Sequence, residues 1–140
     1  MNNNLPEVVA AWEAYQAKLD LKMSAASGEI ALRLEGAAKH MIVGDRKNSD
    51  YPAVSGKPPM NVTGHLRDSI EGNSKRIGFN VYEAIVGAGM VYARAVEIGA
   101  PYNPPSWRNG QHFPFIQPAV KNFIQTGMIT RILIKHLGAR

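Results

Sequence analysis

One apolar stripe constrains this chain more than any other feature of it. Val8, Trp12, Tyr15, Leu19, Met23, Ala26, Ile30, Leu34, Ala37 and Met41 follow one another at steps of three or four residues. That spacing lines one face of an α-helix. Asn4 stands as an N-cap, Pro6 falls in the first turn, Glu7 lies three residues after the cap, and Gly44 is a natural stop. Unbroken, about 37 residues would extend about 55 Å, longer than a domain of this size is wide. Ser24, Ser27 and Gly28 weaken the middle and leave it open to a kink or break. Bent or straight, the stripe must fold back on its own chain or be buried against a neighbouring subunit.

The remaining length divides by punctuation. Residues 43–62 have no apolar period and hold Gly44, Pro52, Gly56, Pro58 and Pro59, so they read as a long loop. Thr63 is an N-cap for a short helical turn through Leu66 and Arg67. A hairpin follows, with strands over 69–77 and 81–86 turned at Gly78-Phe79-Asn80. Residues 91–98 form a short helix capped by Gly99, and residues 100–114, with four prolines and Gly110, form a second loop. From Ile116 the stripe Ile116, Val120, Phe123 or Ile124, Met128, Ile132 and Leu137 gives a last helix, which Gly127 can interrupt. The expected fold is α+β: a long N-terminal helix and a C-terminal helix packed on a small antiparallel sheet, with a short inserted helix and two long Pro-rich loops. All 140 residues fit one domain. Within it, 1–43 is an N-terminal helical region, 44–62 an extended loop and 63–140 an α+β core with the C-terminal helix.

Composition narrows the classes. The chain is 45% apolar and 19% charged, which supports a real core. It has no cysteine, so disulfides, thiolate metal sites and cysteine nucleophiles are excluded. No apolar run reaches the roughly 18 residues of a membrane span, and the start lacks a basic segment followed by an apolar one; a soluble protein without a secretion signal is expected. The four histidines, His40, His65, His112 and His136, fall in different elements without HxxxH or HExxH spacing, so no metal site is expected. Asp68, Glu71, Glu83 and Glu97 show no spacing that selects acid/base work over solvated charge. Ser69 and Ser106 lack a nucleophile-elbow context. Gly87-Ala88-Gly89 lacks the third glycine and the distal acid of a dinucleotide fingerprint. No catalytic residue and no cofactor are expected.

Charge is unevenly spread. Residues 1–42 carry four basic and five acidic groups, residues 43–70 four and three, and residues 71–140 eight and three. A basic half points to a polyanion or an acidic protein surface. Yet Arg67, Arg76, Arg94, Arg108 and Tyr92 come with no helix-turn-helix, zinc-finger or ribonucleoprotein pattern.

Several blocks recur in a familiar order. They are Pro58-Pro59, then Thr63-Gly64-His65-Leu66-Arg67-Asp68-Ser69-Ile70, then Val86-Gly87. Tyr92-Ala93-Arg94-Ala95-Val96-Glu97-Ile98-Gly99 and Phe113-Pro114-Phe115-Ile116-Gln117-Pro118-Ala119 complete the set. Together, over residues 51–121, they resemble the tailed-phage neck or tail-completion family, the gene-product-ten-like group of the lambdoid phages. Ala100 stands where that family has threonine, and His112 where it has the arginine before the Pro-Phe pair; an intersubunit ion pair made by that arginine would be absent or displaced.

The resemblance implies a virion structural protein of the head–tail junction, without catalytic activity. It would form a homo-oligomeric ring, six-fold in the family setting, around the channel through which DNA passes without specific binding. Its partners would be the neighbouring head–tail connector, tail terminator or tail tube proteins, with no membrane involved. Adaptor, stopper, terminator and tail-completion ring remain alternatives. The interface residues it suggests are Tyr51, Pro52, Lys57, Pro58, Pro59, Thr63, Gly64, Leu66, Arg67, Tyr92, Arg94, Glu97, Gly99, Phe113, Pro114 and Phe115. Two other classes compete: a basic nucleic-acid-binding accessory protein, supported by the basic C-terminal half, and a small hydrolase using Glu97 and His112.

Overall fold

The N-terminal stripe forms one unbroken helix, α1 (Leu5–Met41), of 37 residues. The structure, a computed structural model, describes residues 4–42, 56–59, 64–99 and 112–138. Ser24, Ser27 and Gly28 do not break α1, and the last two lie on its packed side. Ser27 is buried, and a Cβ on Gly28 would stand 4.0 Å from Ser74 Oγ on the strand that crosses there.

That strand belongs to a two-stranded antiparallel hairpin of β1 (Ile70–Gly78) and β2 (Val81–Ala88), paired from Ile70↔Ala88 to Arg76↔Tyr82. β1 begins and ends one residue later than the expected 69–77, and β2 runs two residues past the expected 81–86. The pairing becomes irregular between Arg76 and Gly78, and Asn80 turns the chain with φ 53, a left-handed conformation that asparagine tolerates well. Along β1, Ile70, Gly72 and Ser74 are more buried than Glu71, Asn73 and Lys75, the period of two of a sheet with one covered face. Gly72 is required. A Cβ there would meet the Ala31 carbonyl oxygen of α1 at 2.2 Å, so only a glycine lets helix and strand approach this closely.

Before the hairpin, α2 (His65–Asp68) is a single turn entered through Gly64, whose φ is 81; Thr63, the expected cap, lies outside the described residues. α3 (Ala93–Ile98) starts two residues later than expected, where Ala93 N–H donates to the Met90 carbonyl, and ends at Gly99 with φ 68. The C-terminal stripe splits at Gly127, φ 68, into α4 (Ile116–Gln125) and α5 (Met128–Leu137). Of the two Pro-rich loops, only residues 56–59 and 112–114 are described.

The fold is therefore α+β, a long helix carrying a hairpin and two C-terminal helices. Two apolar clusters join them. Ala38, Ile42, Ile70, Ala93, Phe115 and Ala119 form one, at the C-terminal end of α1; Ala26, Leu34, Phe123 and Ile132 form the other, nearer its middle. No helix of the described residues is long and apolar enough to cross a membrane.

Candidate functional site

The blocks separated in sequence meet at the C-terminal end of α1. Gly56 N–H donates to the His112 carbonyl at 2.7 Å, Phe113 N–H to the Val96 carbonyl at 2.7 Å, and Gly89 N–H to the Ser69 carbonyl at 2.9 Å. These bonds tie residues 56 and 112–113 to each other and to α3, and close the base of the hairpin.

Glu97 organises this end. Its carboxylate accepts from the backbone N–H groups of Phe115 (2.8 Å), Ile116 (3.1 Å) and Gln117 (2.8 Å). A helix leaves its first four N–H groups without intrahelical partners. In α4 the fourth of these positions is Pro118, which has no N–H. One carboxylate and one proline thus close the account for the whole helix start, and the negative charge sits at the positive end of the helix dipole. With its oxygens so engaged, Glu97 is a helix cap in this fold, which leaves it poorly placed to act as the acid or base of a hydrolase.

Those of the other residues suggested by the resemblance that are described fall into three groups. Phe113 and Phe115 are buried in the chain's own core, at 4% and 0% exposure, and Leu66 packs against the same cluster. Gly64 and Gly99 set the ends of α2 and α3, and Pro58, Pro59 and Pro114 are half-buried. Lys57, Arg67, Tyr92 and Arg94 face solvent and form the exposed part of the set. Tyr51, Pro52 and Thr63 lie outside the described residues.

The opposite end of α1 carries a surface that the motif blocks did not indicate. Leu5, Val8, Trp12 and Tyr15 each keep more than half of their surface in solvent, and Val9 nearly as much. Trp12 and Tyr15 stack on each other, ring centroids 5.9 Å apart. Among the described residues, every hydrogen bond or ion pair from α1 to another element starts at Asp20 or later. Residues 5–18 form an arm about 20 Å long at 1.5 Å per residue. The signal for it in the sequence was the excess length of the stripe.

Charge fixes the packed half of α1. Arg33 donates to one oxygen of Glu29, while Lys135 Nζ and His136 Nε2 lie 2.7 Å from the other. Lys135, then His136 and Arg33, hold the Glu29 carboxyl down at about 2. Glu35 is also lowered, chiefly by Lys39 and then by the Gly72 N–H it accepts. Tyr82, whose hydroxyl donates to the Asp20 carbonyl at 3.3 Å, is raised, first by burial and then by the Asp20 carboxylate. Among the described residues no three His, Asp or Glu side chains converge as metal ligands would.

Comparison of the chain with family models, with curated proteins and with solved structures finds no match.

Proposed function

We propose that this protein is a structural component of a phage head–tail junction, joining a tail to a DNA-filled head as part of a ring around the DNA channel. The reading rests on the ordered blocks at residues 51–121. One structural observation supports it most: an apolar arm on α1 stays uncovered by the described residues of its own chain, as expected of a subunit that becomes complete only in an assembly. In this reading the protein resides in the virion, and its partners are copies of itself and the adjoining connector, terminator or tail tube proteins. The exposed residues Lys57, Arg67, Tyr92 and Arg94 would face such neighbours, whereas Phe113, Phe115 and Glu97 hold up the surface from beneath.

Electron microscopy of particles assembled without the protein tests this directly. DNA-filled heads and separate tails are expected, with joining restored when the purified protein is added. Joined, infectious particles formed in its absence would overturn the reading. Tight, steeply salt-dependent DNA binding by a variant unable to join particles would favour the nucleic-acid alternative instead.

A further inference from the structure

The arm of α1 needs an occupant, and the fold limits what that can be. Residues 43–55 leave from Ile42 and return at Gly56, beside His112. Thirteen residues going out and back reach about 25 Å at most. Trp12 lies about 45 Å along α1 from Ile42 at 1.5 Å per residue. The twelve residues 100–111 are tethered between α3 and α4 at the same distant end and fall short equally. Neither internal loop can fold over the arm.

Charge then selects among outside partners. The arm, residues 5–18, carries Glu7 and Glu13 along its length and Lys18 at its base, while α4 and α5 carry Lys121, Arg131, Lys135 and His136 and no acid. Lys135 and His136 are matched by Glu29. Among the described residues Glu7, Glu13, Lys121 and Arg131 have no oppositely charged partner within 4.0 Å. Ile124 and Ile134 are exposed too, and each stands three residues after one of those unmatched cations on its own helix. The hairpin tip is a weaker receptor, because Lys75 and Arg76 beside it already pair with Glu83 and Asp20. Two arms paired in parallel would set Glu7 against Glu7 and Glu13 against Glu13.

We propose that the acidic, aromatic arm of one copy docks on the basic α4–α5 face of a second copy. Apolar burial by Trp12 and its neighbours holds the contact, and the charges choose its partner and orientation. Such a head-to-tail contact uses two different patches, so it propagates around a ring or along a filament and does not stop at two subunits. The contact deepens the assembly reading by naming the surfaces that copies would use.

The natural absence of cysteine makes a clean test available. Single-cysteine variants Ala11→Cys, Gln125→Cys and Thr130→Cys of the full chain, at exposed positions that leave the charges in place, are mixed in pairs under mild oxidation. A mixed disulfide between Ala11→Cys and at least one of the other two is expected, in excess over Ala11→Cys homodimers. Dominant Ala11→Cys homodimers, or no mixed product with either partner, would overturn the proposal. By sedimentation velocity, Trp12→Glu should weaken wild-type self-association at least tenfold without moving the melting temperature of the monomer. A wild type that stays monomeric at all concentrations, or a Trp12→Glu monomer that melts early, would also overturn it. Particle joining is read separately, so a protein that joins heads to tails without this contact would refute the docking and leave the proposed function standing.

Discussion

The two halves of α1 share one stripe and one helix, yet they live in different environments. From Ala26 to Met41 the stripe meets the hairpin, α4 and α5, and Leu34 is 7% exposed. From Leu5 to Tyr15 the same periodicity meets nothing described in the chain, and Trp12 is 59% exposed. Periodicity therefore reports that a face will be covered; it does not report by what. The packed half holds this monomer together, and in the proposed assembly the free half is what meets a neighbour.

Substitutions can break or sharpen this division. Leu34→Ala empties a buried site and should destabilise the monomer by about 2–5 kcal/mol in denaturant unfolding. A smaller loss than that of a matched arm substitution would reverse the assignment of the two halves. Gly72→Ala drives a methyl group into the Ala31 carbonyl and should cost about 3 kcal/mol, the upper end of overpacking effects. It tests whether the hairpin is held against the packed half as closely as described. Glu97→Ala strips three N–H groups of α4 of their acceptor and should cost about 2 kcal/mol by the same measurement. Glu97→Gln, which keeps an acceptor oxygen, should recover part of that loss.

Acid should act through the packed half too. Glu29 is held down to about 2 from an ordinary value of 4.5. A carboxyl lowered on folding stabilises the folded state above its unfolded pKa, and that stabilisation is lost as pH falls towards the folded one. Stability should therefore decline between about pH 4.5 and 2, and less steeply in Glu29→Gln, when melting temperature is followed against pH. The smallest effect belongs to the arm: Trp12→Ala should change monomer stability by less than about 0.5 kcal/mol. An arm substitution as damaging as Leu34→Ala would mean that the arm is core after all.

Much of this fold was readable because its signals are local. The long helix, the hairpin with its turn at Gly78-Phe79-Asn80, and the interruption at Gly127 each follow from residues a few positions apart. Signals that join distant residues were harder to read. Ser27 and Gly28 read as weak points in sequence, whereas in the fold Ser27 is buried and Ser74 crosses beside Gly28. Glu97 looked like an exposed acid because its three donors lie 18 to 20 residues further on, although Pro118 in the first turn of α4 hinted that the helix start was handled unusually. Phe113 and Phe115 sit in a loop-flanking block that reads as surface; the burial of both, Phe115 in one cluster with Ile42 and Ala38, is visible only in three dimensions.

The continuity of α1 has a consequence for how the arm stays helical. A detached segment of 14 residues would be marginal in water, since it must nucleate its own first turn. Here the nucleus is supplied by the half locked beneath the hairpin, and each arm residue adds only a propagation step. Order should therefore decay outward: backbone amides near Asp20 should exchange with solvent slowly, those near Leu5 almost freely, in a smooth gradient along a single helix. A docked neighbour would flatten that gradient from the tip inward.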